Sequence, residues 1–281
     1  MLEIESTLLK AKISATGAEL KYLSANGDDN LIWKTDDQFW NRSAPILFPF
    51  VGKLKDNCYE WNGRKYQMMQ HGFARNEKFT VVRHTKEMVV LNLANNHSTF
   101  AQYPFPFHLE VKYELVDKSL ITKFSVINTG QDMLPFAIGG HPGFRIDGSL
   151  SNYELLFPNY LEAERHLIID GLYSGSKQFM KIGHNLQLIP QLFKRDAIVF
   201  KQPAFSEVTL CKEMNPIITL HCEDWSAVGF WTKPGAPFFC IEPWWGWADN
   251  INSSGKLKDK EGLIFLSPNE RSDFSFRITI H

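Results

Sequence analysis

Leu109-Glu110-Val111-Lys112-Tyr113-Glu114-Leu115-Val116, then Asp117-Lys118-Ser119, then Leu120-Ile121-Thr122-Lys123-Phe124-Ser125-Val126-Ile127 read as two strands around a short polar turn. Aliphatic, β-branched and aromatic side chains suit a half-buried pleated surface, and so short a turn joins antiparallel neighbours. The same pattern extends in both directions. Upstream, residues 78–83 and 88–93 make another strand pair, so the region reads as a meander. Earlier still, Cys58–Trp61 and residues 64–68 flank Asn62-Gly63, a strong hairpin signal. Residues 8–13 alternate apolar with basic side chains, and a turn-rich Ala25-Asn26-Gly27-Asp28-Asp29-Asn30 precedes Leu31-Ile32-Trp33. Downstream, 217–221, 227–232, 238–241 and 262–266 read as strands, and the chain closes on an alternating Phe274-Ser275-Phe276-Arg277-Ile278-Thr279-Ile280.

Helical periodicity is scarce. Two short segments qualify, 98–102 after the polar Asn95-Asn96-His97, and 177–182. Turn residues recur about every 8 to 12 positions, the rhythm of sandwiches and barrels rather than of βαβ units. There is no internal repeat, low-complexity tract or linker, and 250–260 reads as a solvated excursion. The expectation is an all-β chain, a large antiparallel β-sandwich with few short helices, continuous as one domain over residues 1–281.

Composition narrows the function. Hydrophobic residues make up 44% of the 281, enough for a large core. The 30 basic and 31 acidic residues nearly cancel, so no global field draws in nucleic acid or an anionic membrane. Met1-Leu2-Glu3-Ile4-Glu5 carries acids where a secretory signal has its basic region, and no run reaches the ~20 apolar residues of a membrane span. A cytoplasmic protein with a small-molecule partner is expected, as a monomer or a homodimer. Cys58, Cys211, Cys222 and Cys240 form no C-x-x-C pair and read as reduced, buried small hydrophobes, with no metal site. The 22 Phe, 8 Tyr and 8 Trp fit a large sheet, and equally a site where aromatic faces stack on a sugar.

Three segments place a titratable group among Gly, Pro and aromatic residues, the setting of tight turns and partial water exclusion. In Gln70-His71-Gly72-Phe73-Ala74-Arg75 a His and an Arg flank a Gly; upstream, Gly52-Lys53 ends a Pro-punctuated apolar run without the pattern of a phosphate-binding loop. Gly139-Gly140-His141-Pro142-Gly143-Phe144 would be a wasteful way to build a strand, so a functional His141 is expected. In Cys240-Ile241-Glu242-Pro243-Trp244-Trp245-Gly246-Trp247, a carboxylate ends an apolar strand and meets three tryptophans; buried Glu is rare unless paired or used. A His and a Glu are the minimal pair for proton transfer near neutral pH, with ordinary pKa values of roughly 6.5 and 4.3 that let His donate and Glu accept.

In these segments the chain resembles the aldose 1-epimerase (galactose mutarotase-like) family, and the resemblance runs from the first strand to the last. It is similar to the bacterial branch carrying His-Gly-Phe-Ala-Arg, Gly-His-Pro-Gly-Phe and Cys-Ile-Glu-Pro-Trp segments. The resemblance implies a supersandwich with the site in a concave face, and no cofactor. It makes Glu242 the general base, His141 the general acid, and His71 a second histidine near the sugar's ring oxygen. Asp196 answers loosely to a substrate-binding Asp, and Lys53 stands where relatives carry Arg. Arg75 is expected to hold a substrate anion where the sugar is phosphorylated, and Trp244, Trp245 or Trp247 to serve as a stacking platform. The implied reaction interconverts the α and β anomers of an aldohexose by acid/base ring opening. Alternatives stay open: a hexose 6-phosphate as substrate, held by Lys53, Arg75 and Arg42, or a non-catalytic sugar-binding or sensing protein. A glycoside hydrolase needs two carboxylates across the scissile bond, and here only Glu242 has such a setting.

Overall fold

Period-2 alternation becomes one long sheet in this chain. The computed structural model describes residues 1–25 and 27–281, so Asn26 of the turn at 25–30 lies outside the described residues. A 15-stranded sheet runs in the order Ile46–Leu47, Ile138–Gly140, Phe238–Trp245, Ala227–Trp231, Ile198–Lys201, Tyr153–Ile169, Glu207–Lys212, Asn215–His221, Arg271–Ile280, Ser119–Asn128, Phe107–Val116, Met88–Ala94 and Thr80–His84. Off this path, Gly143–Arg145 pairs with Phe238–Trp245, and Leu172–Gln187 with Tyr153–Ile169. Neighbours pair antiparallel, as at Phe107–Val116 with Ser119–Asn128, where ten consecutive partners keep register. In the first of these strands Leu109, Val111, Tyr113 and Leu115 are buried and the residues between them are half-buried.

The sheet folds back on itself. Trp245 contacts Phe124 and Phe274, which lie on strands several ladders away, at ring centroid distances of 6.3 and 5.2 Å. A Cβ on Gly140 would stand 3.0 Å from the Phe276 ring, which holds the two layers in close contact there. Aromatic and aliphatic side chains from both layers fill the space between, the burial that drives folding. The all-β expectation holds. One α-helix occurs among the described residues, His97–Gln102, capped by reciprocal Asn96 and Thr99 hydrogen bonds in a capping box. No helix among them is long and apolar enough to cross a membrane.

Four local expectations are corrected. Residues 177–182 are not helical; they lie inside Leu172–Gln187, a 16-residue strand joined to the 17-residue Tyr153–Ile169 through Asp170-Gly171. Both turn residues have φ in the left-handed region, as such hairpins require. Glu242 does not end its strand, which continues from Phe238 to Trp245. The glycines around His141 lie in two short strands, Ile138–Gly140 and Gly143–Arg145, where close packing rather than a turn excludes a side chain. Segment 250–260 is not wholly solvated: Leu257 is buried, and Lys260 reaches inward to Asp249 at 3.3 Å.

Candidate active site

The strand Phe238–Trp245 separates two environments by alternation alone. Phe239, Ile241 and Trp245 point into the sandwich core, while Cys240, Glu242 and Trp244 belong to the opposite face. On the neighbouring Ala227–Trp231, Val228 and Phe230 join the core and Trp231 joins Trp244's face. This second face floors a cavity of about 510 Å3 whose lining includes Trp40, His71, Arg75, His141, Asp196, Trp231, Glu242 and Trp244. Gly139 and Gly229 flank Trp244 on adjacent strands, and a Cβ on either would come within 2.8 Å of the indole. Their bareness makes room for the ring.

His141 and Glu242 meet at the floor. Nε2 stands 3.1 Å from Oε2, with 7% and 2% of the two residues exposed. The approach lacks hydrogen-bond geometry, so Oε2 has no hydrogen-bond partner, nor has His141 Nδ1. Arg75 Nε, Tyr173 Oη and Trp244 Nε1 are likewise buried and unpartnered, and all five atoms belong to residues lining the same cavity. Native proteins leave few such atoms unpaired, because each costs about 1–3 kcal/mol.

Electrostatics here reverse the order of the free side chains. Burial, then the neighbouring Asp196 carboxylate, pushes the Glu242 carboxyl well above its usual range. The Trp244 indole opposes that shift without making a hydrogen bond of full geometry. Burial pulls His141 down to about 3, against its own backbone contact and with help from the Arg75 charge. Both shifts favour the neutral form of each group, and they place the Glu242 carboxyl above the His141 imidazole in proton affinity.

His71 is fixed by a reciprocal contact. Its backbone N–H donates to the Gly52 carbonyl at 2.8 Å, and the Gly52 N–H donates to His71 Nδ1 at 3.1 Å. Nδ1 thus accepts, so the ring proton of the neutral imidazole sits on Nε2. Burial, then His141 and Arg75, hold His71 well below its ordinary value. Its φ of 66° and that of Gly72, 71°, are both left-handed; a Cβ on Gly72 would collide with the Phe48 carbonyl. Edge-on contacts from His71 and Trp231 and a tilted one from Trp40, at 4.8 Å between centroids, enclose the His141 ring.

Other expected residues divide. Asp196, at φ 88°, accepts from the Ala197 N–H at 2.7 Å; burial raises its carboxyl, against that bond and the Arg165 charge. Arg75 lines the cavity and donates to the Gln70 carbonyl at 2.7 Å; burial and nearby Arg42 lower it to about 10. Lys53 does not line the cavity: its ammonium donates to the Asp170 carbonyl at 3.1 Å, its stem against Gly171. Arg42 turns to the Arg75 carbonyl and Asn76. Trp245 is in the core, donating to Asp224 at 3.2 Å, and Trp247 meets Lys201 outside the cavity; only Trp244 of the three lines it. Sequence reasoning missed Trp40, Trp231, Tyr173, Lys194 and Lys233, all on the lining. Trp231 was legible in principle, since it ends a strand in phase with Gly229; the others arrive from loops and a long hairpin that carry no local signal.

Comparison with known proteins identifies the family. The aldose 1-epimerase family profile matches residues 1–279. The chromosomal LacX protein of Lactococcus lactis is 27% identical over 99% of both chains. A galactose mutarotase related enzyme from Lactobacillus acidophilus superposes with a TM-score of 0.95 at 32% identity, covering 99% of this chain and 96% of that one. A galactose mutarotase-like protein from Lactobacillus casei does so at 0.92 and 28%, covering both chains fully. The profile match and the structural likeness place this chain in the aldose 1-epimerase family.

Proposed function

We propose that this protein is an aldose 1-epimerase that interconverts the α and β anomers of an aldohexose through Glu242 and His141. The observation that carries the reading is the 3.1 Å His141–Glu242 pair at the floor of a cavity rimmed by unpartnered polar atoms and tryptophan. Its volume lies in the range of small-molecule sites. The indole of Trp244 offers a face to the C–H surface of a pyranose, and His71 Nε2–H a donor to a sugar oxygen.

Ring opening moves two protons. Glu242 as carboxylate takes the proton of the C1 hydroxyl while His141 as imidazolium gives one to the ring oxygen, and the C1–O5 bond breaks. Rotation about C1–C2 presents the other face of the aldehyde, and the same steps in reverse close the ring. One proton shared by the pair suffices for the cycle. Sugar hydroxyls supply the hydrogen bonds that the buried Glu242 Oε2 lacks, so binding favours the carboxylate of Glu242 with the imidazolium of His141 beside it.

A second reading, a hexose 6-phosphate as substrate, is favoured by Arg75, Lys194 and Lys233 on one lining. Anomeric exchange measured by NMR on free aldoses and hexose 6-phosphates tests both. Acceleration of a free aldose supports the first reading, and acceleration confined to phosphorylated sugars supports the second. Binding without acceleration for any sugar would overturn catalysis in favour of a sugar-binding role.

A further inference from the structure

Cys240 lies two residues before Glu242 on the same strand, and alternation puts both on one face. The Cys240 sulfur, the Glu242 carboxylate and a His141 ring nitrogen lie within 4.8 Å of one another, all three residues buried. Among the described residues this is the one group of three or more His, Cys, Asp or Glu side chains whose donor atoms converge in this way. The Glu242 Oε2 atom, on a residue 2% exposed, has no hydrogen-bond partner. The proton transfers above use His141 and Glu242 and leave the thiol without a task.

We propose that His141, Cys240 and Glu242 form a three-ligand site for a soft divalent cation, Zn2+ above all, and that its occupancy switches the acid/base pair off. One nitrogen, one sulfur and one oxygen are a donor set that zinc accepts, with bond lengths of about 2.0–2.3 Å. A tetrahedral ion then holds its ligands about 3.3–3.7 Å apart. From separations of up to 4.8 Å the three donors therefore need to close by at most about 1.1–1.5 Å, within reach of side-chain rotation. His141 and Glu242 line the cavity while Cys240 does not, so the ion would be held from behind and keep its fourth position toward the substrate space. The ion withdraws the imidazole lone pair and the carboxylate oxygen from proton transfer. The inhibitory half of this proposal rests on the acid/base reading of the pair; the binding half does not.

The test uses the full chain after chelator treatment. Zn2+ affinity is measured by competition with a chromophoric chelator, and Co2+ is added separately to look for a thiolate-to-cobalt charge-transfer band. The expected results are one tight Zn2+ per chain, a thiolate band with Co2+, and anomerisation suppressed about tenfold or more at one equivalent of Zn2+ and restored by EDTA. Cys240→Ser should keep the metal-free rate, weaken Zn2+ about 100-fold or more, and abolish the Co2+ band. Absence of stoichiometric binding, a Co2+ spectrum without a thiolate band, or affinity unchanged in Cys240→Ser overturns the site. Tight binding with an unchanged rate overturns the inhibition. If Cys240→Ser misfolds, Cys240→Ala and the wild-type Co2+ spectrum decide the same points. An enzyme inactive even when metal-free would count against the proposed function, while the binding data would still decide the site.

Discussion

Two cavities of about 510 Å3 each lie on this protein, and they differ in what their walls leave unfinished. In the first, five buried polar atoms lack partners and a histidine faces a carboxylate. In the second there is one such atom, Trp247 Nε1, and both lining lysines have a carboxylate partner. Lys177 meets Glu164 at 2.6 Å, and Lys201 sits 4.2 Å from both the Tyr173 and Trp247 rings with Glu261 at 3.7 Å. Burial lowers Lys201 to about 8, and Glu261 resists the shift. Volume alone does not mark a site. Desolvated polar groups without internal partners do, because the protein gains nothing from them until a ligand arrives.

The sharpest way to break this comparison is at the pair itself. Glu242→Gln and His141→Asn should each lower the anomerisation rate roughly 10²–10⁴-fold while circular dichroism and melting stay near wild type; a folded variant with full activity ends the acid/base assignment. Away from both linings, Lys260 and Asp249 are an ion pair with side chains 3% and 5% exposed. Asp249→Ala strands the ammonium and should cost about 3–5 kcal/mol in denaturant unfolding, where a surface pair would cost about 1 kcal/mol or less.

Gly229→Ala probes the first cavity's wall. The added Cβ must displace the Trp244 ring from 2.8 Å, for about 1–3 kcal/mol of stability and a raised KM. Acidification probes its floor. A histidine held at about 3, against an ordinary value near 6.5, contributes stability fully present above pH 6.5 and lost as pH falls toward 3. His141→Asn should remove up to about 1.4 kcal/mol per pH unit of that slope, read from unfolding midpoints across the window. The smallest effect is expected in the second cavity. Lys201→Met should change stability by about 1 kcal/mol or less and leave anomerisation untouched. A lost rate there would mean that the two cavities work together.

The corrections have a common physical origin. The hairpin 153–187 escaped sequence reading because its outer strand, Leu172–Gln187, is mostly exposed and half-buried, with register shifts and no clean alternation, so local composition mimicked a helix at 177–182. Lys53 was expected at the site because it stands where relatives carry Arg after the glycine; Gly52 does line the cavity, yet the Lys53 side chain turns away to the Asp170 carbonyl. Trp245 looked equivalent to Trp244 until the strand was seen to run through Pro243, whereupon alternation sent the two rings to opposite faces.

By itself, the sequence determined what is local: alternating strands, the hairpin at Asn62-Gly63, a short helix at 98–102, and three segments rich in site-like residues. These follow from side-chain periodicity and backbone preference within a few positions. Only the tertiary structure decided that His141 and Glu242 stand 3.1 Å apart, that Trp40 and Trp231 enclose the imidazole, and that Cys240 joins the pair from behind. It also inverted the two pKa values. The reason is that pairing order in a long sheet and the loss of water around a buried group are properties of the whole packed chain, and no local stretch encodes them.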